Sequence, residues 1–313
     1  MRSVVTGASG FIGRAVVAEL LARGHLVTAL VRDEPTVALL PTHPCFEIRS
    51  ASIDSAESAR RALGAAAYDY VFHLAGGRVA DGAELHASNT RLNVLPTAAL
   101  LDALADSPPR ALVLASSGEV YGDQPGPFVE SAAPRPITPY AVSKLAAEAL
   151  VLGAASVAGY SAVAARLGVV YGPGQGDAPM LVPQVLKAAA AGRDFEMSSG
   201  EQTRDFVFIT DVARALASLA ERCPPGANVI NVGTGVGVAV RDAARAALDA
   251  WGNGRLRAGA LPPRPREIMD YRLDNKRLHD AIGETPQTTL ADGLAQTVAA
   301  LRTMASKSDI TGR

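Results

Sequence analysis

The chain has 313 residues, with 30 Lys+Arg against 31 Asp+Glu, a formal net charge of -1 and a hydrophobic fraction of 48%. That apolar content excludes a disordered chain, and the balanced charge leaves no basic footprint for nucleic acid or an anionic membrane surface. At roughly 150 residues per domain the length asks for about two domains, or one large α/β unit with an appendage.

No uninterrupted run of about 18 apolar residues is found, so no membrane-spanning segment is expected. Arg14, Glu19 and the glycines at 7, 10 and 13 interrupt the stretch where a signal peptide would keep its apolar core, and the predicted location is the cytoplasm. Two cysteines, Cys45 and Cys223, are too few for a disulfide framework and read as small buried apolar residues in a reducing compartment. The five histidines are scattered without metal-ligand spacing, so no metal site is expected.

In chain order, short apolar or β-branched runs alternate with Ala/Leu-rich segments of helical period, the pattern of βαβ units. Strands are predicted over 2–6, 25–31, 46–51, 70–74, 111–115 and 162–167, with helices beginning near Phe11, Ser55, Asn89 and Pro139. The predicted fold is therefore α/β: a doubly wound parallel sheet of the Rossmann kind, with a smaller C-terminal α/β domain. Beyond residue 172 the pattern loosens. A helix is expected over 180–191, a loop over 198–202, a strand over 205–209 and a helix over 211–221. The Pro-rich segment 261–266 can be neither central strand nor helix interior. A last amphipathic helix is expected over 292–303, and a polar, mobile tail over 305–313. The domain division that follows is 1–172 for the dinucleotide-binding unit, with 205–236 returning to it. Residues 173–204 and 237–304 then form the substrate unit.

Gly7, Gly10 and Gly13 punctuate the turn between the first strand and first helix. Glycine there permits a tight turn and lets backbone N–H groups approach a pyrophosphate at a helix N-terminus. Gly7, Ser9, Gly10, Phe11, Ile12 and Gly13 are thus the candidate cradle. The second strand ends Leu30-Val31-Arg32-Asp33, with Val31 or Arg32 where an acid would bind the ribose hydroxyls of NAD. Arg32 favours NADP(H) by offering a guanidinium to the extra phosphate. A solvated Arg32, with Asp33 taking the ribose of NAD(H), is the other reading.

The segment Thr138-Pro-Tyr140-Ala-Val-Ser-Lys144 places a phenol and an ammonium one turn apart on a helix that Thr138 can cap and Pro139 can begin. A phenol titrates near 10, too high for a neutral-pH base, and a nearby ammonium is expected to lower that value. Lysine occurs at only four positions, and Lys144 is the only one before residue 187. That isolation in an Arg-rich chain suggests a role for a compact donor, such as reaching ribose hydroxyls. Upstream, the apolar run from Ala111 ends abruptly in Ser116 and Ser117, at the sheet edge where such folds bind ligands.

On these segments the chain resembles the extended short-chain dehydrogenase/reductase family, in its branch of nucleotide-sugar epimerases, dehydratases and ketoreductases. The resemblance spans about residues 1–303 and rests on TGASGFIG (6–13), FHLAG (72–76), NVLPTAALLDA (93–103), SSGEVYG (116–122), YAVSK (140–144), RLGVVYGPGQG (166–176), RDFVFITDVA (204–213), NVGTG (231–235) and RPREIMDY (264–271). It implies that Ser117, Tyr140 and Lys144 form a catalytic triad, with Asn93 completing a proton relay. It also implies that Leu74, Ala75 and Gly76 line the cofactor. Arg204 and Arg264 would clamp a sugar-nucleotide pyrophosphate, with Ser116, Ser117, Glu119 and Val169 about the sugar. Pairing of the helices over 89–105 and 139–156 in a homodimer is implied as well.

Three departures qualify the resemblance. The dehydratases carry Asp-Glu where this chain has Gly118-Glu119, which removes the acid needed to eliminate water. The branch's usual Asn is Val169, and the acid usual after the third strand is Ser52. The function expected is therefore an NADPH-dependent 4-ketoreductase of a nucleotide-activated, dTDP-linked, 4-keto-6-deoxyhexose. The alternatives are an NAD-dependent nucleotide-sugar 4-epimerase, a reductase of non-sugar carbonyls and a non-catalytic NADP-binding protein.

Overall fold

The computed structural model describes residues 1–32, 38–176, 178–222, 224–263 and 267–311, with side chains through residue 304. The first half alternates strand and helix. In order come β1 (Arg2–Thr6), α1 (Phe11–Ala22), β2 (Leu26–Val31), β3 (Phe46–Ser50), α2 (Ala56–Leu63), β4 (Tyr70–His73), α3 (Leu85–Asn93), α4 (Leu95–Leu104), β5 (Ala111–Ser117), α5 (Pro139–Ala158) and β6 (Ser161–Leu167). The helix expected from Asn89 is two helices: it begins at Leu85 and breaks before Leu95, where Pro96 occupies the first turn of α4.

The second half contains β7 (Val169–Tyr171), α6 (Leu181–Ala190), β8 (Phe195–Met197), β9 (Thr203–Phe208), α7 (Ile209–Arg222), β10 (Ala227–Val232), β11 (Gly237–Ala239), α8 (Val240–Trp251), β12 (Leu256–Ala258), β13 (Asp270–Tyr271), α9 (Lys276–Ile282) and α10 (Leu290–Thr311). The last helix thus runs well past residue 303, into the segment expected as a tail.

Seven strands form one sheet in the order β10-β6-β5-β4-β1-β2-β3, with all six neighbouring pairs parallel. Alternate residues leave opposite faces. Val5, Phe72 and Val113 enter one buried cluster with α1 and α7, while Val4, Val71 and Leu112 enter another with Ala147 and Val151 of α5. A sheet covered on both faces explains why its inner strands are largely apolar runs, while the edge strand β3 is only partly buried; each fully buried Val, Leu or Phe contributes about 1.5–3 kcal/mol. The chain reverses its winding between β1 and β4, so a crevice opens beyond their carboxyl ends. Helix α7 and strand β10 rejoin this layer, but β9 does not. It sits in a second sheet with β7, β11 and β13.

One compositional expectation needs correction. Cys45 is half-exposed rather than buried, because it lies just before β3 at the sheet's outer edge; Cys223 lies outside the described residues. Helix α5 is long and apolar enough on average to cross a membrane, although its sequence holds no uninterrupted apolar run. It packs on β5 and β6 with Lys144 and Glu148 buried, which is the position of a core helix.

Candidate active site

At Gly7 and Gly13 the β1–α1 turn leaves room for nothing larger than hydrogen. Gly7 has a positive φ of 65°, and a Cβ there would lie 2.7 Å from the Ala75 backbone nitrogen. A Cβ on Gly13 would fall 2.1 Å from the Gly7 carbonyl oxygen. Gly10 starts α1 without a side-chain cap, leaving first-turn N–H groups to an anion. Gly10 is exposed and Ser9 half-buried, while Phe11 and Ile12 pack partly against the core. Across the crevice, Ala75 donates its N–H to Thr6 Oγ1 at 3.1 Å. Thr6 meets His73 Nδ1 at 2.8 Å, and His73 Nε2 meets Thr97 at 3.0 Å. Burial pushes that imidazole down to about 3, so it remains a neutral tie between β1 and β4. Glycine cradle, open helix end and fixed Leu74–Gly76 turn together fit a dinucleotide pyrophosphate. At the end of β2, Val31 is buried and Arg32 exposed; Asp33 lies outside the described residues.

Thr138 accepts the N–H of Ala141 at 3.1 Å, and Pro139 opens α5, which fixes where Tyr140 and Lys144 emerge. Lys144 is buried, and a Cβ on Gly76 would lie 3.7 Å from its Nζ, so the ammonium adjoins the proposed cofactor turn. Ser117 ends β5, accepts the N–H of Glu119 at 3.2 Å and neighbours Tyr140. Asn93 is fully engaged by protein groups. Its two amide protons are shared among Gly77 O at 2.9 Å, Asn89 O at 3.1 Å and Ser143 Oγ at 3.0 Å, and its oxygen accepts from Gly77 N at 3.1 Å. It clamps α3 to the turn and to α5.

The expectation that Lys144 lowers the tyrosine's pKa is not met. Desolvation, helped by the Glu119 charge, pushes the Tyr140 phenol up to about 12, while Arg78 and Ser117 pull it down. Burial lowers Lys144 to about 8, opposed by Glu148. The ammonium is turned towards Gly76 and Asn93, and the charges that act on the phenol come from two loops instead. Arg78 donates to Glu119 and lies over the Tyr140 ring, its Cζ 5.3 Å from the centroid.

Ser116 donates to the buried Glu148 at 2.5 Å, and Glu148 pairs with Arg166 at 2.8 Å, so this serine faces the core. Val169 packs, half-buried, in the apolar clusters and pairs with Phe206. Arg204 donates to Glu267, and at 2.7 Å to the carbonyls of Thr203 and Ile268. Arg264 lies outside the described residues. Sequence reasoning gave no role to Tyr271. Its buried hydroxyl donates to Leu167 O at 2.9 Å and would sit 2.6 Å from a Cβ on Gly118. Gly118 is glycine because Tyr271 and Leu273 fill the space beside it, and a dehydratase-type aspartate would collide with both.

Residues 3–233 match the NAD dependent epimerase/dehydratase family. The chain belongs to this family. Among its relatives, a UDP-glucose 4-epimerase of Mycolicibacterium smegmatis is 34% identical, over 95% of this chain and 97% of its own length. A dTDP-6-deoxy-L-talose 4-dehydrogenase (NAD(P)(+)) of Kitasatospora kifunensis is 32% identical, over 94% of each. The solved structure of MoeE5 in complex with UDP-glucuronic acid and NAD superposes with a TM-score of 0.87 at 32% identity, covering 97% of this chain and 100% of that one. This member of the epimerase/dehydratase family is thus an NAD(P)-dependent enzyme of the extended short-chain dehydrogenase/reductase type, in the nucleotide-sugar branch. Within it, Arg78 and Tyr271 carry no local sequence signal. Each becomes visible only when its loop or strand is folded against Tyr140 or Gly118.

Proposed function

We propose that the protein is a 4-ketoreductase that uses NADPH to reduce the C4 ketone of a nucleotide-activated, dTDP-linked, 6-deoxyhexose. The observation carrying the reading is the grouping of Ser117, Tyr140 and Lys144 beside the glycine cradle, with Gly118 locked against any acidic side chain. The bound dinucleotide supplies the hydride. Ser117 polarises the ketone oxygen, Tyr140 gives it a proton, and Lys144 holds the ribose beside Gly76. Arg204, released from Glu267, takes the substrate pyrophosphate in bidentate fashion, with Arg264 as its second clamp. With Gly118 where elimination would need an acid, the chemistry stops at the carbonyl.

The NADPH preference rests on the exposed Arg32 at the end of β2, where a buried Val31 takes the place of a ribose-binding acid. Consumption of NADPH with a dTDP-4-keto-6-deoxyhexose tests the reading, and Arg32→Ala should weaken NADPH binding at least tenfold more than NADH binding. Equal losses would remove the case for the 2′-phosphate. A second reading, an NAD-retaining nucleotide-sugar 4-epimerase, is favoured by the 34% identical relative. Interconversion of UDP-glucose and UDP-galactose, with tightly bound NAD and no net NADPH oxidation, would establish it instead.

The reading includes a cytoplasmic homodimer joined through α4 and α5. Leu95 (49% exposed), Val142 (48%), Leu150 (37%) and Val157 (91%) are apolar side chains left in solvent on those helices. Val142→Asp with Leu150→Asp should convert a dimer to a monomer in light scattering, and a monomeric parent protein would sink this part of the reading.

A further inference from the structure

The loops that follow β4 and β5 face each other across the crevice because those strands are neighbours in the sheet. The first loop brings Arg78, the second Glu119, and the two meet as an ion pair. An exposed pair of this kind is ordinarily worth little. This one is set apart by what lies beneath it: the guanidinium carbon is 5.3 Å from the centroid of the Tyr140 ring. A cation within about 6 Å of an aromatic face is attracted by it, and a phenolate ring, carrying a full negative charge, attracts it more strongly than a phenol.

Other groups about Tyr140 do not substitute for Arg78. Lys144 and Glu148 lie one and two turns further along α5, with the Lys144 ammonium beside Gly76 and Asn93 and the Glu148 carboxylate paired to Arg166. Ser117 contributes a neutral hydroxyl. Tyr271, from β13, is a second phenol near Tyr140, held on Leu167 O. Glu119 is an anion and opposes ionisation of the phenol. Among the described residues, Arg78 is the cation that faces the ring.

We propose that Arg78 is a positioning residue of this site: anchored by Glu119 with its guanidinium across the Tyr140 ring, it stabilises the phenolate formed whenever Tyr140 gives up its proton. The inference rests on the reading of Tyr140 as the proton-transfer group. Its planar cation is suited to stacking in a way a lysine is not, and Glu119 fixes the guanidinium in place at the cost of partly offsetting its charge.

The test uses the full-length protein with Tyr140 replaced by 3,5-difluorotyrosine, whose phenol is more acidic and whose ionisation is followed by 19F NMR. Arg78→Gln should move the titration midpoint upward by about 0.5–1.5 pH units, and Arg78→Lys should recover part of that shift. In the otherwise native enzyme, Arg78→Gln should displace the pH profile of alcohol oxidation in the same direction, with KM for the dinucleotide unchanged. An unmoved midpoint in Arg78→Gln overturns the proposal, as does a loss of rate that is equal at every pH. Because the NMR midpoint needs no turnover, failure of the parent protein to reduce any 4-ketohexose would sink the ketoreductase reading alone.

Discussion

Tyr140→Phe is expected to lower kcat by about 10²–10⁴-fold, the usual worth of a positioned proton donor, while cofactor affinity stays within a few-fold. The variant removes one oxygen from a half-buried ring and leaves the glycine cradle, Lys144 and the Arg78 contact in place. With the phenol pushed up to about 12, it is protonated across the physiological range, the state needed to protonate a ketone oxygen. The reductive rate should therefore be flat with pH as far as Tyr140 is concerned. The Lys144 ammonium, lowered to about 8 by burial, is charged below that pH and neutral above it, so reduction should decline as pH rises through about 8. Oxidation of the alcohol needs the phenolate and should rise about tenfold per pH unit below the phenol's midpoint. Turnover by Tyr140→Phe at the parent rate, in either direction, would remove Tyr140 from the chemistry.

The inner strands of the sheet were legible because they are buried on both faces and stand out as apolar runs, and α5 because Thr138-Pro139 is a strong helix start. Several elements were not. Strand β10 and the short strands β7, β11, β12 and β13 have no period of their own and exist through pairing with distant partners. The split between α3 and α4 turns on Pro96 falling in a first turn, which a pattern of Ala and Leu conceals. In the site, Tyr140 and Lys144 are four residues apart, so their grouping is written in one helix. Arg78 reaches Tyr140 across 62 positions, and Tyr271 reaches Gly118 across more than twice that. Spacing along the chain carries no trace of such contacts. The expectation about the tyrosine's acidity failed for a related reason: proximity of Lys144 in sequence was a poor guide to where its ammonium points.

Arg166→Met should have the largest effect on stability. Arg166 and Glu148 have side chains only 4% and 2% exposed and pair at 2.8 Å, with Arg166 Cζ 4.6 Å from the centroid of the Tyr121 ring. Removing the guanidinium leaves a carboxylate between β6 and α5 with Ser116 as its remaining hydrogen-bond partner and the Lys144 ammonium, one turn away, as its nearby charge, and breaking a buried ion pair costs about 3–5 kcal/mol. Thermal unfolding should fall by roughly 5–10 °C in consequence. Replacing the whole network with apolar groups, as in Ser116→Ala/Glu148→Leu/Arg166→Met, should restore most of the lost stability, since a buried ion pair is often no better than well-packed hydrocarbon. Equal melting temperatures for the single and triple variants would show that the charge imbalance is not what destabilises Arg166→Met. The triple variant should not be restored in function, however. Glu148 is the anion that supports the Lys144 ammonium against burial, and without it that group should lose its proton below pH 8. The decline of the reductive rate should then begin at lower pH than in the parent protein. A stable fold with a displaced pH profile would mean that this pair is kept for the charge it maintains at Lys144, one turn away, rather than for the stability of the sheet.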